Sequence, residues 1–183
     1  MQVPSHHGRV GGDRTLAAGA PGVRRPLIVS SLQRNSLSEP RDVWTEWLHN
    51  FAAWSLAATI TLRRYLHGQA INPGNAEAAL RHMLRVLDVS CYGKSGVKQG
   101  KAVPSAVVIG WGTYGDHPHA HIALATPTGM SYQELADRFE KAASRTQWIH
   151  HERVVVPYRD VGWAAYLVHH DPENLVLSLL RAG

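Results

Sequence analysis

The chain has 183 residues, 44% of them hydrophobic, with 19 Lys and Arg against 14 Asp and Glu, a formal net charge of +5 and a pI near 9.7. That length predicts one domain with appendages, and the basic balance favours a polyanionic partner, nucleic acid first. The single cysteine, Cys91, excludes an internal disulfide and a cysteine zinc cluster and fits a reducing cytoplasm, while no apolar run reaches the ~20 residues of a membrane span and no h-region of a secretory signal is read at the N-terminus.

Residues 1–37 are rich in Gly, Ser, Pro and Arg and predict a flexible basic arm, leaving 38–183 as a single domain. Ser38-Glu39-Pro40 is a helix start, followed at helical spacing by Trp44, Trp47, Leu48 and Phe51. In Trp54–Leu62 the residues Leu56, Ala58, Ile60 and Leu62 alternate with Ser55, Ala57, Thr59 and Thr61, which predicts a half-buried strand closed by Arg63 and Arg64. Asn72-Pro73-Gly74-Asn75 is a turn and cap for a helix over Ala76–Val89. Cys91–Lys101 reads as a Gly/Lys-rich loop whose Lys94, Lys98 and Lys101 are candidate contacts for a phosphate backbone.

Val103–Trp111 predicts a second strand, joined by the loop Gly112–Asp116 to the stretch His117-Pro118-His119-Ala120-His121-Ile122-Ala123-Leu124 as a hairpin. On a strand, residues two apart share a face, so His119 and His121 stand side by side while Ala120, Ile122 and Leu124 face a core. Two neutral imidazoles on a rigid strand make half of a divalent-metal site; a His-x-His pair alone fits equally well a polar sheet face that happens to carry histidine. Ser131-Tyr132-Gln133-Glu134 is a capping box for a helix to about Ser144, and Trp148–Tyr158 holds a fourth strand. Asp160 caps a helix through Gly162–His170, and after Asp171-Pro172 a further helix is expected around Leu175–Leu180. The succession of elements predicts an α+β fold: an antiparallel sheet with helices packed mainly on one face.

Three of these segments fall in a recognisable order: Thr59-Ile60-Thr61-Leu62-Arg63-Arg64 ending a strand, His119-Ala120-His121 on a later strand, and Tyr166-Leu167-Val168-His169 on a helix after the next strand. Over roughly residues 54–175 this resembles the HUH endonuclease domain of rolling-circle replication initiators. The resemblance implies an RRM-like, ferredoxin-like antiparallel sheet carrying the histidines, with the tyrosine helix nearby. It further implies a divalent cation, Mn²⁺ or Mg²⁺, on His119 and His121, and Tyr166 as the nucleophile that nicks and rejoins single-stranded DNA through a 5′-phosphotyrosine. A phenol ordinarily titrates near pH ~10, so such a nucleophile needs a metal or a base.

Two positions depart from the family pattern. His169 stands where the family usually has lysine; it would assist proton transfer or reach the metal. The strand before the histidines, Val108-Ile109-Gly110-Trp111-Gly112, lacks the carboxylate that often serves as third ligand. The replacements considered are His117 first, Asp116, and more weakly Glu152 or His150. The implied partner is single-stranded DNA at an origin or hairpin, with Arg63, Arg64, Lys94, Lys98 and Lys101 on its backbone. Because the sequence has no Gly-x-x-x-x-Gly-Lys-Ser/Thr, a host helicase and polymerase would complete the reaction in the cytoplasm. A small HUH transposase and a catalytically inactive HUH-like origin- or hairpin-binding protein are the alternatives.

Overall fold

The computed structural model describes residues 40–112, 117–169 and 175–182, without the side chains of Pro40, Arg41 and His169. The expected arm 1–37, the cap Ser38-Glu39, most of the loop before His117 with Asp116, and His170 with Asp171-Pro172 lie outside them. Helix α1 spans Pro40–Phe51 and strand β1 Trp54–Leu62. A small hairpin of β2 (Tyr65–Leu66) and β3 (Gln69–Ala70) turns through His67 and Gly68, both with positive φ, as a two-residue hairpin turn requires. Helix α2 covers Pro73–Lys98, β4 Ser105–Gly110, β5 His119–Ala125, α3 Tyr132–Ser144, β6 Ile149–Pro157 and α4 Val161–His169.

The four long strands form one antiparallel sheet in the order β4-β5-β1-β6. With α2 and α3 as crossovers, the succession β1-α2-β4-β5-α3-β6 is the ferredoxin-like arrangement. The α+β reading is therefore what the chain adopts. The two longest helices cover one face: Leu80, Met83, Leu84 and Leu87 of α2 and Leu135 and Phe139 of α3 close over Leu56, Ile60, Ile122 and Leu124. Burying each such side chain contributes about 1.5–3 kcal/mol. The opposite face has a row of small residues, Ala106, Ala123 and Ala125, on which α1 and α4 are seated through Leu48, Ala164, Leu167 and Val168.

The helix starts follow local chemistry. The Asn72 side chain accepts from the Asn75 N–H, and Asn75 returns the bond to the Asn72 N–H. Ser131 and Glu134 form the same reciprocal box at α3.

Two expectations need correcting. The segment Cys91–Lys101 is not simply a loop: Gly93 (φ 68°, ψ 170°) breaks α2, and helix resumes to Lys98. Glycine adopts that left-handed backbone without Cβ strain, so it redirects the helix rather than ending it. Nor do residues 175–182 form a helix. Leu175 bridges Val108, Arg181 bridges Ser105, and between them lies a single 3₁₀ turn at Leu177–Leu179, so this segment covers the β4 edge of the sheet. Among the described residues no helix is long and apolar enough to cross a membrane.

Candidate functional site

The pleat of β5 divides its side chains as its sequence demands. Ala120, Ile122 and Leu124 enter the α2–α3 core, and His119 and His121 stand on the opposite face. Their rings meet edge to face with centroids 4.8 Å apart. His121 is only 2% exposed. Its cross-strand neighbours are Thr59 of β1 and Val108 of β4, and the Thr59 hydroxyl lies 2.9 Å from its Nδ1. His119 pairs with Thr61 and Gly110. Its Nδ1 donates to the His117 carbonyl at 2.8 Å. A carbonyl only accepts, so the ring proton sits on Nδ1 and the Nε2 lone pair is left for a cation or a proton.

Gly110 has a specific steric role. A Cβ built there would lie 2.5 Å from both Cε1 and Nε2 of His119. The imidazole therefore lies across the neighbouring strand in space that any side chain at 110 would fill. Gly110→Ala is expected to leave the fold intact and to displace the His119 ring, read as a large shift of the His119 ring resonances with those of distant histidines unmoved. Unchanged His119 resonances would contradict this packing.

Helix α4 delivers the aromatic component. The Asp160 carboxylate accepts from the Gly162 N–H at its start, and Ala164, Leu167 and Val168 bury themselves on the sheet. That orientation leaves Tyr166 46% exposed yet with its ring centroid 4.7 Å from that of His121, edge to face. Trp163 borders both, 5.8 Å from Tyr166 and 6.3 Å from His121. The sheet and a late helix thus bring His119, His121 and Tyr166 together. The main chain of His169 lies one turn further along the same helix, and its side chain is outside the described residues.

Other candidates are placed differently. His117 contributes its carbonyl to His119, and its ring forms no three-ligand group with the pair. Among the described residues, the one group of three potential ligands is His150, His151 and Glu152 on β6. Arg63 and Arg64 are exposed at the end of β1 that adjoins His119, where Leu62 N–H bonds the Pro118 carbonyl. Lys94, Lys98 and Lys101 precede the first residue of β4, at the opposite end of the sheet from Gly110 and His119. At ~3.3 Å per residue, β4 alone separates the two ends by about 16 Å.

Sequence reasoning missed three relationships: the Thr59–His121 bond, which depends on strand register, the Gly110 cradle, which depends on a neighbouring ring, and the gathering of His150, His151 and Glu152, which depends on an irregular pairing. Thr59 carried a signal as part of the Thr-rich strand, and His150 and Glu152 carried one as weaker third-ligand candidates. Tyr158 is a second phenol with a histidine partner, His49 Nδ1 at 3.1 Å, but burial pushes its pKa above the ordinary tyrosine value. It sits just beyond Pro157, which pairs with Leu56, at the other end of the sheet. Compared with protein families, curated proteins and solved structures, the chain matches none.

Proposed function

We propose that this protein nicks and rejoins single-stranded DNA, with Tyr166 as nucleophile and His119 and His121 as the holders of a divalent cation. One observation carries the reading: a phenol from α4 stands 4.7 Å, centroid to centroid, from an imidazole whose neighbour on the same strand face is a second imidazole. His119 offers a divalent cation a donor whose tautomer is already fixed. The His117 carbonyl holds the proton of His119 on Nδ1 and leaves Nε2 with a lone pair, the usual way a ligating histidine is fixed. When bound, Mn²⁺ or Mg²⁺ supplies Lewis-acid polarisation of a phosphate and offsets its developing charge.

The chain's own residues account for the rest. The Tyr166 oxygen attacks phosphorus, its proton passing to a base, and the P–O bond to the 3′ oxygen of the preceding nucleotide breaks. The products are a 5′-phosphotyrosine and a free 3′-hydroxyl, and the reverse attack by that hydroxyl restores the strand. His169, one turn beyond Tyr166, is the proposed proton partner in place of a lysine. Arg63 and Arg64 are proposed phosphate contacts beside the site, and Trp163 a stacking surface for a base. Lys94, Lys98 and Lys101 would engage only a strand long enough to cross the sheet. The Rep-type setting, an origin or hairpin with host helicase and polymerase in the cytoplasm, is part of the same proposal.

The test uses the full chain and a randomised single-stranded oligonucleotide pool labelled at the 3′ end, since the phosphotyrosine link retains the 3′ fragment. With Mn²⁺ or Mg²⁺ a covalent labelled adduct is expected on a denaturing gel, and EDTA abolishes it. Salt-sensitive binding with no adduct under either metal would overturn the enzyme and leave a DNA-binding domain.

Thr59→Val tests the support of His121. It preserves shape on β1 but removes the hydroxyl 2.9 Å from Nδ1. Loss of such an outer hydrogen bond typically weakens metal affinity ~10–100-fold, and at least ~10-fold is expected by calorimetry with Mn²⁺. Unaltered affinity would remove Thr59 from the site.

A further inference from the structure

Strand β6 carries a second constellation that the nicking reading does not use. Between Ile60 and Leu62 the pairing of β1 with β6 shifts: Ile60 faces Arg153 and Leu62 faces Ile149, so His150, His151 and Glu152 together stand opposite the single residue Thr61. On a regular strand the middle of three consecutive side chains points away from its neighbours. A bulge of this kind re-aims them. Here the His150 and His151 rings approach to 4.0 Å between centroids, and one ligand atom from each of the three residues lies within 4.8 Å of the others.

The local chemistry suits a cation. His150 Nδ1 accepts a long, weak bond of 3.4 Å from the Glu152 N–H, which a cation would displace, and it lies 3.6 Å from the Glu152 carboxylate. Arg153, the next residue, pairs with Glu140 and donates to the Ser144 hydroxyl at 2.7 Å and, more distantly, to the His150 carbonyl at 3.4 Å, so its contacts to this segment are with the main chain and not with the three ligand side chains. The edge is open: His151 and Glu152 are exposed, and β6 is a border strand of the sheet.

We infer that the β6 bulge binds a borderline first-row divalent cation of the Zn²⁺, Co²⁺ or Ni²⁺ class through His150, His151 and Glu152. Two imidazoles and one carboxylate, with open positions for water, are the donors such ions prefer over Mg²⁺ or Ca²⁺, which favour all-oxygen sites. The ion would tie three consecutive residues into one chelate and pin the bulge. It would also add positive charge to the strand next to β1, at the end where the Arg63 N–H bonds the Trp148 carbonyl. This group is separate from the proposed nuclease centre, with Thr61 of β1 between the bulge and His119.

Calorimetric titration of the full chain with Zn²⁺ tests it. In a His119→Ala/His121→Ala background, one equivalent is expected to bind, and adding His150→Ala with Glu152→Gln is expected to weaken it at least ~30-fold. These side chains lie at the surface or partly so, and circular dichroism should report an unchanged fold. Co²⁺ provides a second readout, since its visible absorption bands follow the ligands and should vanish with the same substitutions. Zn²⁺ binding that survives the His150/Glu152 substitutions would overturn the site and point to other histidines, such as His6 and His7. Failure of the His119/His121 pair to bind metal would leave this outcome unaffected.

Discussion

Tyr166→Phe is expected to abolish the covalent DNA adduct, lowering its formation by at least ~10³, while single-strand affinity and Mn²⁺ affinity stay within about twofold of the parent. The substitution removes one oxygen. The ring remains to meet His121 edge to face, with Trp163 beside it, and the buried anchors of α4, Ala164, Leu167 and Val168, are untouched. Because Tyr166 is nearly half exposed, the stability change should stay within ~0.5 kcal/mol, so loss of the adduct reads chemistry and not unfolding. Tyr158→Phe is the matched control. Its phenol is also paired with a histidine, but burial raises its pKa and makes its anion harder to form, and it lies at the far end of the sheet. An adduct that persists in Tyr166→Phe and disappears in Tyr158→Phe would transfer the nucleophile to the other phenol and dismantle the proposed centre.

What the sequence made legible here was short-range and periodic. Alternation along His119–Leu124 separated two imidazoles from the core side chains, because a strand's period of two is fixed by backbone geometry. The reciprocal cap at Ser131 and Glu134 was equally local. Features that depend on which strand lies beside which were not readable. Gly110 presented itself as a missing carboxylate; its neighbour across the ladder makes it the space into which His119 fits. His150 and Glu152 read only as weaker third ligands for the strand histidines, because nothing in their own segment announces that three β6 residues oppose one residue of β1. The composition of Cys91–Lys101 read as a Gly/Lys-rich loop, and nothing in it announced that helix resumes after Gly93. At the C-terminus the leucines at 175, 177 and 179 recur every second residue, a spacing that does not belong to a helix, and the chain there lies along β4.

That C-terminal strap bears the second large effect. Asp88, 4% exposed on α2, accepts from the Val103 N–H at 2.8 Å with one oxygen and from Arg181 Nη1 at 2.5 Å with the other. Arg181 also donates from Nε to the Ser105 hydroxyl at 2.9 Å, and that hydroxyl donates to the Leu179 carbonyl at 2.9 Å. One carboxylate thus joins α2, the entry to β4 and the segment that closes the sheet edge. Asp88→Ala leaves a largely buried guanidinium without its counter-charge and an amide without its acceptor, and removing one partner of a buried pair typically costs about 3–5 kcal/mol. For a domain of this size ~3 kcal/mol corresponds to a fall of about 6–12 °C in Tm, measurable by calorimetry. Arg181→Met with Asp88→Leu should recover part of that loss, since an apolar pair of similar volume carries no desolvation cost. A single Asp88→Ala that shifts Tm by less than about 2 °C would show that the strap is held by its backbone bridges alone. The consequence reaches the candidate site, because the bridge from Leu175 lands on Val108, the cross-strand neighbour of His121, and the strap begins a few residues beyond the helix that carries Tyr166. Loosening the Asp88 anchor should therefore also lower adduct formation at temperatures well below the new Tm, whereas an equally destabilising core substitution on the far face, Phe139→Ala in α3, should not.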